Sequence, residues 1–254
     1  MSAMEGIPER KLEELPDQLI QSKNYEELVK VFSDLRFFDR LYNDEHKFDL
    51  INFWREIEYN TNHTADKTYL SIINTNMFPA GIIVSHLLNN LGLFLQEMSK
   101  FKGAEKMLYK SIDFYEKASQ RLQIARVYTQ LARLYNTQSR HDEVLEMLQK
   151  AEDIYTSETG DDAPALGALL NQKATFYLNT GKYTLAKDTL DRALHICQTQ
   201  LGTDHLTTSD VYYSLGCVHL ALRELEKSEE NLQRCLKIRE LELGDWDPEV
   251  SHVL

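Results

Sequence analysis

The residues best equipped for chemistry are three cysteines, eight histidines and one Gly-Lys step, and none stands in a reactive arrangement. Thr180-Gly181-Lys182 ends like a phosphate-binding loop, in which backbone amides and a lysine cradle phosphate oxygens. Phe176, however, occupies the place of that loop's first glycine. The step therefore reads as a turn between helices. Cys197, Cys217 and Cys235 include no C-x-x-C pair, so neither a zinc site nor a disulfide framework is spelled out. Each fits a small buried hydrophobe, and their odd number fits a reducing, cytoplasmic compartment. No two histidines stand in the H-x-x-x-H pattern that would place metal ligands on one helical face. A Gly-x-Ser-x-Gly elbow is missing as well. Asp161-Asp162 and Glu229-Glu230 read as solvated carboxylates. No catalytic, cofactor-binding or metal-binding residue is assigned, and a non-enzymatic protein is expected.

Charge and composition narrow the partners. Over 254 residues the net charge is −12, which disfavours nucleic acid, because binding a polyphosphate needs basic patches that release its counterions. A neutral or basic protein or peptide partner fits better. Few glycines and prolines, with many Leu, Glu, Lys and Gln, favour helix. Residues 1–16 are charged and lack the apolar stretch of a signal peptide. The apolar run Phe78–Val84 is far shorter than the roughly 20 residues that span a bilayer, so no membrane insertion is expected. Without a secretory route, the acceptor pattern Asn62-His63-Thr64 is inert.

A repeat organises the rest. Ala174, Tyr177, Ala186, Leu190 and Ala193 return 42 residues later as Gly216, His219, Ser228, Leu232 and Cys235. The same step back gives Ala132, Tyr135, Val144, Leu148 and Ala151; a further 40 residues back stand Gly92, Leu95, Ala104, Leu108 and Ser111. Each unit opens with residues at i, i+3 and i+4: Leu88-Leu91-Gly92, Tyr128-Leu131-Ala132, Leu170-Lys173-Ala174 and Tyr212-Leu215-Gly216. That spacing lies on one helical face, where the small residue admits a neighbouring helix. A second amphipathic helix follows in each unit. The turns between are Ser99-Lys-Phe, Ser139-Arg-His, Gly181-Lys-Tyr and Arg223-Glu-Leu, of which only Gly181 has the residue that a left-handed stop prefers. Self-similarity at this period predicts an all-α, right-handed solenoid of helical hairpins.

These residues resemble the long tetratricopeptide repeats of kinesin-light-chain-like and nephrocystin-3-like proteins. Leu88-Asn89-Asn90-Leu91-Gly92 matches their Leu-Asn-Asn-Leu-(Ala/Gly) opening. Leu201-Gly202-Thr203-Asp204-His205 and Leu243-Gly244-Asp245-Trp246-Asp247-Pro248 look like their inter-repeat turn. Lys173 and His219 depart from it, standing where the family prefers an apolar or aromatic residue. Four repeats are assigned, at about 85–124, 125–166, 167–208 and 209–243, with 244–254 opening a truncated fifth that Asp247 caps and Pro248 begins. The absence of a polar capping repeat suggests a fragment or a short product of a longer gene. Apolar surface at that end is expected to promote self-association.

Residues 1–84 lack the period and form a separate helical module. Pro16 is expected to end or kink its first helix; Asn24 and Asp66 are expected to cap later ones. Glu13-Glu14-Leu15-Pro16-x-x-Leu19, the set Leu28, Phe32, Asp34 and Leu35, and Asp49-Leu50-x-x-Phe53-Trp54 resemble the helical segment that follows the nucleotide-binding module in NACHT-type STAND proteins.

In the resembled repeats, the first helix of each hairpin lines a concave groove. Carried onto this chain, the groove positions are Asn89, Leu93 and Gln96; Thr129, Arg133 and Asn136; Asn171, Thr175 and Asn179; and Tyr213. Asn, Thr and Gln suit hydrogen bonding to the main chain of an extended peptide, and Arg133 is the cation available for an acidic group. Only Arg126 and Arg133 approach the basic residues of a chaperone-type carboxylate clamp, so that specificity is not expected. The resemblance implies a protein–protein scaffold, and through nephrocystin-3 it implies assembly at cilia. The N-terminal resemblance implies an alternative reading, as the regulatory arm of a STAND NTPase whose catalytic module is absent from this chain. The aromatic surface over residues 28–54 separates the two. It packs on the first repeat in a scaffold and docks on a nucleotide-binding module in a regulatory arm. A kinesin-light-chain cargo adaptor is less expected, since that family's N-terminal heptads are missing.

Overall fold

The computed structural model describes residues 9–43, 45–75, 78, 83–244 and 250, and every regular element among them is an α-helix. The fifth-repeat cap at Asp247 and Pro248 lies outside the described residues. The helices gather into two compact units, residues 1–120 and 121–254.

The first unit holds α1 (Glu9–Gln21), α2 (Tyr25–Phe32), α3 (Leu35–Leu41), α4 (Lys47–Asn60), α5 (Ala65–Asn74), α6 (Val84–Glu97) and α7 (Phe101–Lys117). Pro16 lies inside α1 and does not end it; its side chain is buried, and α1 packs on α2. Asn24 does cap α2, its Oδ1 accepting the Glu27 amide at 3.4 Å. Asp66 lies inside the first turn of α5 instead of capping it. The Ala65 amide is satisfied by Glu58 from α4 at 3.0 Å, and Glu58 also pairs with Lys100 at 2.7 Å.

The core of this unit is aromatic. Phe32, Phe38, Trp54, Tyr69 and Phe94 are fully buried, and Trp54 Nε1 donates to the Tyr69 hydroxyl at 3.1 Å. Phe94, on α6, takes edge-on contacts from Phe38 at 5.5 Å, Tyr69 at 6.0 Å and Tyr42 at 6.0 Å. Phe38, Tyr42 and Tyr69 of the non-repeat module thus pack on the first repeat helix, whereas Phe48 and Tyr59 stay exposed.

The second unit holds α8 (Arg121–Thr137), α9 (His141–Thr159), α10 (Pro164–Asn179), α11 (Tyr183–Gln200), α12 (Leu206–Ala221) and α13 (Leu225–Leu243). They form three hairpins, α8–α9, α10–α11 and α12–α13, equivalent to α6–α7 in the first unit. The repeated small residue meets the repeated leucine of its own hairpin: a Cβ added to Gly216 would stand 2.7 Å from Leu232, and one added to Gly92 would stand 2.7 Å from Leu108. Ser228 Oγ adds a bond to the Gly216 carbonyl at 2.8 Å.

Every hairpin closes through one joint. Ser99, Ser139, Gly181 and Arg223 have φ of +58°, +56°, +75° and +61°, and the same turn occurs at Lys23 with φ +55°. The following amide reaches back five residues to the carbonyl of the repeated bulky position: Lys100 to Leu95 at 2.8 Å, Arg140 to Tyr135 at 3.0 Å, Lys182 to Tyr177 at 2.8 Å and Glu224 to His219 at 2.9 Å. This is the Schellman closure, which satisfies carbonyls that a helix end would leave unpaired. Side chains across the joint pair as well. The Arg140 guanidinium lies 4.0 Å from the Tyr135 ring centroid, while buried His219 meets Glu224 at 2.7 Å.

The two residues that depart from the repeat pattern thus have partners. His219 has Glu224. Lys173, half-buried, pairs with Glu152 at 2.7 Å, and Glu152 also takes Arg192 at 2.8 Å, which ties α9, α10 and α11 together. Tyr177 is half-buried, whereas its neighbour Phe176 is buried and stacks near His141 at 5.6 Å, so Phe176 is the larger core contributor here.

Candidate functional site

The expected groove positions fall in both units. In the second unit, α8, α9, α10 and α12 enclose a cleft of about 450 Å³. Pro164 starts α10 in the first-turn position that suits its fixed φ. His205 caps α12, its Nδ1 accepting the Thr207 amide at 3.1 Å. These starts set the lengths of α10 and α12 along the cleft. Arg133 and Asn136 reach it from α8, and Asn171 and Thr175 from α10. Thr129 lies outside the lining and turns its hydroxyl to the Ala125 carbonyl at 2.9 Å. Asn179 also lies outside it, exposed near the end of α10. Tyr213 lies outside it, half-buried beneath the Arg239 guanidinium at 5.5 Å.

Two features of the cleft were not read from the sequence. Arg133 is not a free cation: its Nε donates to Gln172 Oε1 at 3.2 Å, and Gln172 Nε2 donates to the Thr129 carbonyl at 3.2 Å. Gln172, Thr207 and Asp210 belong to the lining. Gln172 follows Asn171 directly, and Asp210 precedes the bulky residue Tyr212 that anchored the reading. Positions counted forward from the bulky residues left both out. Asp210 is held by Arg239 at 2.8 Å. The cleft therefore has a guanidinium on one wall, a carboxylate on another and amides between. Asn171 Oδ1 is buried and accepts no hydrogen bond among the described residues.

In the first unit, Asn89, Leu93 and Gln96 are half-buried on α6. Asn89 Oδ1 and Gln96 Oε1 are likewise buried with no donor among the described residues. Beside them, burial raises the Glu97 carboxyl, against the opposing pull of Lys47 and of the Tyr42 hydroxyl.

Cys197 and Cys235 are buried, whereas Cys217 is half-buried, more open than expected. Burial pushes all three thiols up, so they remain protonated and weakly reactive. Among the described residues no group of three His, Cys, Asp or Glu could hold a metal ion, and no helix is long and apolar enough to cross a membrane.

Residues 84–157 and 165–240 match the sequence profile of the tetratricopeptide repeat. The chain belongs to the tetratricopeptide-repeat family. A TPR repeat-containing protein of Dictyostelium discoideum is 32% identical over 98% of this TPR chain, which spans 16% of that relative's length. Kinesin light chain-related protein 3 of Arabidopsis thaliana is 25% identical over 68% of the chain and is covered over 27% of its own length. Among solved structures, the apo quorum sensor NprR from B. thuringiensis aligns with a TM-score of 0.58 at 17% identity, covering 96% of this chain and 66% of that one. NprR in complex with its cognate peptide NprX aligns at 0.52 and 16%, over 99% and 77%. At such identity the likeness shows the fold, an all-α TPR solenoid of the kind typical of protein–protein interaction scaffolds.

Proposed function

We propose that this TPR protein is a non-catalytic scaffold that binds an extended peptide along the first helices of its hairpins. The observation that carries the reading is the set of buried amide oxygens without donors on those helices: Asn171 in the second unit, Asn89 and Gln96 in the first. A buried acceptor left unpaired costs stability, and peptide N–H groups supply what it lacks. In the cleft of the second unit, Arg133 and Asp210 give such a peptide one polarity along the amides. The solved complex of NprR with the peptide NprX supports peptide binding as a use of this fold.

The resemblance to nephrocystin-3-like proteins extends the reading to assembly at cilia. The alternative, a regulatory arm of a STAND NTPase, has the 28–54 aromatic surface dock on a nucleotide-binding module; the contacts of Phe38 and Tyr42 with Phe94 support the scaffold reading, and Phe48 stays exposed.

Affinity purification of wild type beside an Asn89/Arg133/Asn171 triple alanine variant tests this. All three residues are at least partly exposed, so the variant retains its helix content by circular dichroism. Loss of partners in the variant is expected. Unchanged partners would place binding elsewhere.

A further inference from the structure

A second surface, on a different face of the chemistry, lies in the first unit. Between α5 and α7 runs a groove of about 630 Å³ whose mostly apolar walls include Leu70 and Tyr109. Along one edge stand Lys102, Lys106 and Lys110 at successive i, i+4 positions, a row about 12 Å long. Several lysines elsewhere are claimed by carboxylates: Lys30, Lys100, Lys150, Lys173, Lys187 and Lys227 each pair with one. Lys110 is tied to Asn74, an uncharged partner, at 3.1 Å. Lys102 and Lys106 are exposed and have no carboxylate partner among the described residues. Glu105, the carboxylate in the lining, has an interaction of its own.

We propose that this groove docks an acidic amphipathic helix of a partner protein. Carboxylates one turn apart on that helix would meet the lysine row, and the apolar face beside them would cover Leu70 and Tyr109. Charge complementarity selects this occupant. A second copy of the chain, with its net charge of −12, is repelled overall, and a neutral helix would leave three ammonium groups at its edge without counter-charge. The surface does not use the first-helix positions invoked for peptide binding, so the two readings stand or fall separately.

The test uses the full chain and a labelled synthetic helical peptide with Glu at three successive i, i+4 positions beside a Leu row. Its partner peptides carry Gln or Lys in place of Glu. Fluorescence anisotropy is expected to show binding of the Glu peptide that weakens with salt and falls at least about tenfold in K102E/K106E. Binding is expected to be unchanged in Lys187→Ala, on α11 of the second unit. Equal binding of Glu and Gln peptides would overturn the proposal, as would a Glu peptide indifferent to K102E/K106E. No Glu-peptide binding, with vesicles of equal parts phosphatidylserine and phosphatidylcholine captured instead through the same lysines, would assign the row to a membrane surface and overturn it too.

Discussion

Trp54 and Tyr69 form a buried donor–acceptor pair at the centre of the first unit, and its chemistry gives the residue scale a pH handle. Burial pushes the Tyr69 phenol well up, opposed by the bond from Trp54. A phenol raised on folding stabilises fully below its unfolded value of about 10, and the contribution is lost as pH rises beyond it. Alkaline titration followed by Trp54 fluorescence should show this unit loosening above about pH 10, and Tyr69→Phe should remove that component. In neutral solution Tyr69→Phe should cost about 1 kcal/mol, because the indole N–H loses its acceptor. At the third repeat, Phe176→Ala should cost roughly 3–5 kcal/mol in urea unfolding and Tyr177→Ala only about 1–2, as the buried and half-buried partners of one helix turn. The repeat register alone favours Tyr177 for the core role. It locates the bulky position to within one residue, but which neighbour turns inward depends on His141 from the preceding hairpin, and that contact leaves no periodic mark. The same limit applied at the cleft. Asn171 and Thr175, carried over from the resembled repeats, line the cleft; Gln172 and Asp210 line it too but carry no such mark, since they act through Arg133 and Arg239.

The helical hairpin was the most readable element, because small residue, leucine and turn recur in register. Its joint was less so. Glycine at 181 announces a left-handed stop, but Ser99, Ser139 and Arg223 hold the same conformation without the residue that favours it. An L-residue there carries steric strain that glycine does not, so Ser139→Gly should raise stability by about 0.5–1 kcal/mol, read as a shift in the urea midpoint at constant slope. The equivalent change at Ser99 should behave alike. The last joint has its own pH signature. Hydrogen bonds from Lys227 first, then His219, hold the Glu224 carboxyl below its usual range. A depressed carboxylate stabilises above its unfolded pKa, and that share is lost as pH falls through the folded value. Glu224→Gln should therefore flatten the acid side of the unfolding profile below about pH 4.5. Capping was legible where one side chain does the work, as at Asn24. It was misread at Asp66, where Glu58 reaches over from another helix.

For the molecule as a whole, the fold class was open to reading because a repeat writes its plan several times over. The determinants proposed for partner choice occur once each, in a few amides and lysines. A net charge of −12 spread over the chain predicts self-repulsion. Thermal midpoints should rise between roughly 10 mM and 150 mM salt as screening shortens its reach. A midpoint falling over that interval would mean that local ion pairs such as Glu152 with Lys173 and Arg192 outweigh the overall charge. The recurring joint also bears on how such a chain changes over generations. A copied segment of about 42 residues arrives with its own stop, its own small and leucine positions and two positions that face each other across the turn. The pair can diverge as a couple, as arginine over tyrosine in one copy and glutamate against histidine in another. Duplication followed by paired drift is thus a short mutational path to a longer array, and each new copy brings fresh surface on which selection can write a different ligand.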